Sequence, residues 1–274
     1  MGHAQTIIDG QEAWATRHKV VCAGPGPATV SENLFRPMYP VTMAEFANGD
    51  GNELGTPAEP GKMRSLRSSS ALAVNFFEYW RYRDLAPLTS ALGLRDAYND
   101  LRFEQKLPTG LKGKRPNLDV VLFQKDGPPA GIECKFCEPY DATEPVGPLD
   151  PIYLPADGQL WGDVGMHGAQ QVARDLGHDF NPTHLAAGQL LKHLLGLGHT
   201  FPQLRPVHLV YLWFDDGSVV AEEHRAEVCE FTRHIGNEVV FLATTYQAVF
   251  ERLRASGVAE DQYVAYLHDR YFAS

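Results

Sequence analysis

An α/β fold built on a central mixed sheet is predicted by three observations. Three runs of strand character, at 101–106, 118–123 and 131–136, follow one another with only turn-forming sequence between them. Two further apolar runs, at 206–214 and 239–243, are separated by stretches of helical periodicity. An amphipathic helix precedes the whole set at 71–83. Consecutive strands joined by short turns make an antiparallel meander, and strands joined through helices run parallel, so the sheet is mixed and flanked by helices on both faces.

The elements follow in order. Residues 1–60 show little periodicity beyond a short helix near 11–18, and Gly24-Pro25-Gly26-Pro27 and Gly49–Gly55 favour extended backbone, so an N-terminal arm with little regular structure is expected. Residues 61–274 form a single domain. Ser68-Ser69-Ser70 supplies helix-capping hydroxyls before Leu72, Phe76, Phe77 and Trp80, which recur at helical spacing. A second helix is predicted at 88–99. In the first strand Leu101, Phe103 and Gln105 alternate with Arg102, Glu104 and Lys106. Asp126-Gly127 marks the turn between the second and third strands. Residues 137–168 are rich in Pro, Gly and Asp and too long for an ordinary connection, which predicts a lid or a disordered insert. Helices are predicted at 182–195, 220–234, 246–255 and 260–272.

Composition narrows the class. No apolar run approaches the roughly 20 residues of a membrane span, and the sequence opens without a secretory signal. With four cysteines in 274 residues, a reduced cytoplasmic protein is expected. The net charge is −10, but Lys and Arg concentrate in 62–135, which holds 13 of the 24 basic and 8 of the 34 acidic residues, a local +5. Such asymmetry lets one region attract a polyanion while the remainder keeps the protein dispersed. The sequence has no P-loop, no H-E-x-x-H and no G-x-S-x-G elbow, and Gly49, Gly51 and Gly55 lack the spacing of a dinucleotide fingerprint. Cys134 and Cys137 form a C-x-x-C pair, but no second pair accompanies them as a zinc site would need. His3, His18, His167 and His178 are expected at the surface.

The chemistry concentrates in Gly131-Ile132-Glu133-Cys134-Lys135-Phe136. Strand alternation sends Ile132, Cys134 and Phe136 to one face and Glu133 and Lys135 to the other. Charged groups in an apolar strand are costly unless paired or used. The preceding strand carries Asp119 near its start, where a hairpin brings it beside Glu133. Adjacent carboxylates repel, and a divalent cation relieves the repulsion. Magnesium suits one or two carboxylates, with the backbone carbonyl of Cys134 as a third ligand, and manganese can substitute. Lys135 then orients or deprotonates a water, or stabilises negative charge on a phosphoryl group.

At this point the sequence resembles the PD-(D/E)XK nuclease superfamily, over roughly 68–214. The triplet Glu133-Cys134-Lys135 matches the acid-x-lysine element in full. The aspartate element is Pro116-Asn117-Leu118-Asp119, with the proline three residues ahead rather than adjacent. The resemblance implies a restriction endonuclease-like core and a metal-dependent nuclease, expected to act on DNA in restriction, defence or repair. It implies an extra acid, Glu104 ahead of Glu78, and a supporting role for Gln189. Lys106, Lys112, Lys114 and Arg115 flank the site and are expected to grip phosphates. Many such enzymes work as homodimers, so a homodimer is expected. The rival reading is a non-catalytic module that keeps the fold and binds nucleic acid or protein.

Overall fold

A computed structural model describes residues 4–24, 26–56 and 58–273, so His3 and Pro25 lie outside the described residues. Helix α1 spans Gln5–Arg17 and α2 spans Pro40–Asn48. Ile7 of α1 and Phe46 of α2 pack into the main core, so this region is not the extended arm expected from its Gly-Pro content. Its helices are short and weakly patterned and are held by what they pack on, as is usual for marginal helices.

Ser68 caps α3 (Ser69–Phe77) by accepting from the amide of Ala71, and a 3-10 turn follows at Glu78–Trp80. Helix α4 (Ala86–Leu92) ends at Gly93, whose φ of +85° suits a left-handed cap. The predicted helix at 88–99 therefore stops early, and β1 begins at Tyr98.

Strands β1 (Tyr98–Lys106), β2 (Asn117–Gln124) and β3 (Ala130–Lys135) form the antiparallel meander. Three short helices occupy the next stretch: α5 (Glu138–Asp141), α6 (Gln159–Gly162) and α7 (His167–Asp175). The 137–168 segment is no loose lid. Tyr140 and Trp161 are fully buried, and the Trp161 indole donates to the carbonyl of Tyr153. Helix α8 (Ala187–Thr200) starts five residues later than the periodicity suggested. The amides of Thr183, His184 and Leu185 donate to Glu227 instead of to a helix.

Strand β4 (Val207–Trp213), α9 (Val219–His234), β5 (Val239–Thr245), α10 (Tyr246–Ser256) and α11 (Asp261–Leu267) complete the order. The sheet runs β1-β2-β3-β4-β5, with β3, β4 and β5 parallel. Every residue of β4 is buried, as expected of a central strand covered on both faces. On one face Val120, Ile132, Cys134 and Leu212 pack against α3, α4 and α10. On the other Val121, Leu209, Tyr211 and Trp213 pack against α7, α8 and α9. Each sheet face thus removes one apolar cluster from water, the main source of folding free energy. His18, His167 and His178 are exposed. Among the described residues no helix is long and apolar enough to cross a membrane.

Candidate active site

The site forms where β2 and β3 part. Their register runs through Leu122–Ala130, Val121–Gly131 and Val120–Ile132. One step further would set Asp119 opposite Glu133, but the backbone pairing ends, and the amide of Cys134 donates to the Asp119 carboxylate (2.7 Å). The β1–β2 register places Phe103 opposite Val120 and Gln105 opposite Leu118, so Glu104 falls opposite Asp119. Glu104, Asp119 and Glu133 therefore stand in one row across three strands, about 4.8 Å apart strand to strand.

The row is built on irregular backbone. Glu104 adopts a φ of +50°, a left-handed conformation that costs a non-glycine residue about 1–2 kcal/mol. Opposite it, alternation in β2 breaks: Leu118 joins the core on the α8 side and Val120 the core on the α3 side. Asn117 donates its amide to the Glu104 carboxylate, and Gly49 lies close against the same carboxylate.

Helix α8 covers the row. Lys135 Nζ donates to Glu133 Oε1 (2.6 Å) and to Gln189 Oε1 (2.8 Å). One helical turn beyond Gln189, His193 Nε2 lies 2.9 Å from Glu133 Oε2. Glu133 and His193 are each only 1% exposed.

The electrostatics follow from burial and proximity. Burial, reinforced by the Glu133 charge, raises the Asp119 carboxyl well above its ordinary range. Burial also acts to raise Glu133, but Lys135 and His193 outweigh it and bring Glu133 down to about 2. Burial would lower Lys135, yet Glu133, Asp119 and Glu138 raise it further, so the ammonium stays charged. Burial and the charges of Glu53 and Glu133 push Glu104 up to about 7. The site thus sets one ionised carboxylate, paired to a lysine, beside two carboxyls whose protonated forms are favoured by burial and by neighbouring charge. Perturbed groups gathered in this way mark functional sites.

The donor set is of the kind a hard cation takes. Among the described residues no three His, Cys, Asp or Glu side chains stand in a ready-made metal cluster. Magnesium does not demand one, because it keeps several waters and binds through one or two carboxylates. Asn117 Oδ1 is a buried acceptor with no hydrogen-bond partner, Glu133 Oε2 has only His193 Nε2 at 2.9 Å without an aligned hydrogen bond, and burial opposes the charge on Asp119 that a cation would neutralise. The residues present fit the ion.

The remaining sequence-selected residues divide. Glu78 is engaged elsewhere. It accepts from the Tyr39 amide and the Thr42 hydroxyl and pairs with Arg81, so it ties α2 to the turn after α3. Lys106 pairs with Asp50 (2.6 Å). Lys112 and Arg115 are exposed and Lys114 half-buried in the loop 107–116, with no ion pair among the described residues. Cys134 and Cys137 are free and buried in the core on the α3 side. Sequence reasoning missed Glu53, which sits near Glu104 and is raised by burial. It also missed His193, whose one visible signal was its place one turn after Gln189.

A mixed five-stranded sheet with helices on both faces, carrying acids at the parting of its meander, defines a restriction endonuclease-like core. The family model for restriction endonucleases associating with ARP matches residues 11–272, and the chain belongs to that family. No curated protein and no solved structure matches the chain.

Proposed function

We propose that this protein is a magnesium-dependent nuclease of the PD-(D/E)XK type, a DNA endonuclease of restriction, defence or repair. The observation that carries the reading is the row Glu104–Asp119–Glu133, its first two members half-buried and its last buried, with the charged Lys135 paired to Glu133. Asp119, Glu133 and the backbone carbonyl of Cys134 would hold the ion, and manganese would substitute. When bound, the ion supplies Lewis-acid stabilisation of the phosphoryl oxygens and a more acidic water. Lys135 is held as a protonated ammonium at neutral pH and has no free lone pair to serve as a base, so its part is to orient water and stabilise developing negative charge. Gln189 holds the lysine in place through its side-chain carbonyl. Lys112, Lys114 and Arg115 would bind phosphates flanking the scissile bond, a contact independent of sequence. A homodimer in the cytoplasm, and association with a partner of the ARP kind named in the family description, belong to the same reading.

The test is cleavage of plasmid and single-stranded DNA in magnesium, manganese or EDTA. Metal-dependent cutting abolished in both Lys135→Ala and Asp119→Ala, with folding intact, is the expected result. Cutting that survives both substitutions would place the activity elsewhere, and no cutting in any metal would favour a binding module.

A further inference from the structure

His193 is buried in the middle of α8, in a helix whose Leu190, Leu191, Leu194 and Leu197 are buried as well. Both of its ring nitrogens lack an aligned hydrogen-bond partner among the described residues. Its Nε2 nevertheless lies 2.9 Å from Glu133 Oε2, off the hydrogen-bonding direction. A polar ring placed inside a core costs free energy unless a partner compensates it, and Glu133 is the partner it faces. The spacing is matched on both sides. Residues i and i+4 of a helix are about 6 Å apart along its axis, and residues i and i+2 of a strand about 6.6 Å. Gln189 and His193 therefore engage Lys135 and Glu133 as two rungs of one ladder.

We propose that His193 is a positioning residue: through Nε2 it fixes the Glu133 carboxylate so that Oε1 stays on Lys135 while the group faces Asp119. This rests on the reading of Asp119 and Glu133 as magnesium ligands. A carboxylate held at one oxygen alone can turn about its last bond and follow the lysine. Held at both, it keeps one plane. Groups that orient a ligating side chain typically contribute 10- to 100-fold to metal affinity.

The experiment compares Mn2+ binding, read by electron paramagnetic resonance, in wild type, Glu133→Gln, His193→Gln and His193→Asn. The Gln amide nitrogen falls near the position of Nε2, and the Asn amide nitrogen near that of Nδ1. Wild type and His193→Gln should bind Mn2+ within about threefold of each other, and His193→Asn should bind about tenfold more weakly or worse. Melting curves in EDTA confirm that each variant is folded, and His193→Met replaces His193→Asn should the latter fail to fold. Equal affinities in the two His193 variants, both retained or both lost, would overturn the role of His193 alone. Binding to wild type that Glu133→Gln leaves unchanged, or no binding at all, would overturn the metal reading itself and this inference with it.

Discussion

Glu104→Gln should stabilise the metal-free protein at alkaline pH and leave it unchanged in acid. Burial and the charges of Glu53 and Glu133 raise Glu104 from 4.5 to about 7. The native protein then keeps a proton that the unfolded chain has already released across that interval. Stability contributed by the protonated form is present below pH 4.5 and is lost as pH rises through about 7. A tenfold change in proton affinity corresponds to about 1.4 kcal/mol, so the rise implies a penalty of about 3 kcal/mol at pH 8. Glutamine removes the charge and can still accept from Asn117. For a chain of 274 residues, ~2 °C per kcal/mol gives a gain of about 6 °C in Tm. The assay is thermal denaturation of wild type and variant in EDTA near pH 4 and at pH 8. Asp119 titrates in both proteins, so the difference between the two curves largely isolates Glu104. A variant no more stable than wild type at pH 8, or a gain equally large at both pH values, would refute the argument. The expected trade-off is loss of cleavage, because a row of repelling acids is strained until a cation neutralises it.

Two further outcomes follow from the same geometry. Magnesium binding should release protons, because Asp119 is raised well above its ordinary range and must ionise to serve as a ligand; affinity should therefore rise with pH, and calorimetry in two buffers of different ionisation enthalpy measures the release. Limited proteolysis should spare 137–168 with or without DNA and magnesium, because Tyr140, Tyr153 and Trp161 anchor the segment in the core; preferential cutting there would show that this packing does not persist in solution.

Much of the strand layer was legible. The positions of β1, β2 and β3, and the Asp126-Gly127 turn, follow from chemistry within a few residues of each position, whereas the break in alternation at Glu104 and Leu118 does not. The helical regions were less so. Helix α2 and the short helices of 137–168 are brief and broken by Pro and Gly, so propensity carries no signal and tertiary packing stabilises them. The late start of α8 depends on Glu227, over 40 residues away, accepting three amides.

By itself the sequence determined that Glu133 and Lys135 share a face opposite Cys134, because successive side chains of an extended strand point to opposite sides. It also placed Asp119 on the neighbouring strand. Only the tertiary structure decided which distant groups meet them. Packing of α8 on the sheet set Gln189 and His193 against the triplet, and the parting of β2 from β3 gave the Cys134 amide to Asp119. Glu104 stands in the row on left-handed backbone that the strand pattern does not foretell, while Glu78 is engaged by Arg81 and Thr42 instead. Such contacts depend on the relative placement of elements far apart in the chain, which the burial of two apolar faces fixes and local periodicity does not record.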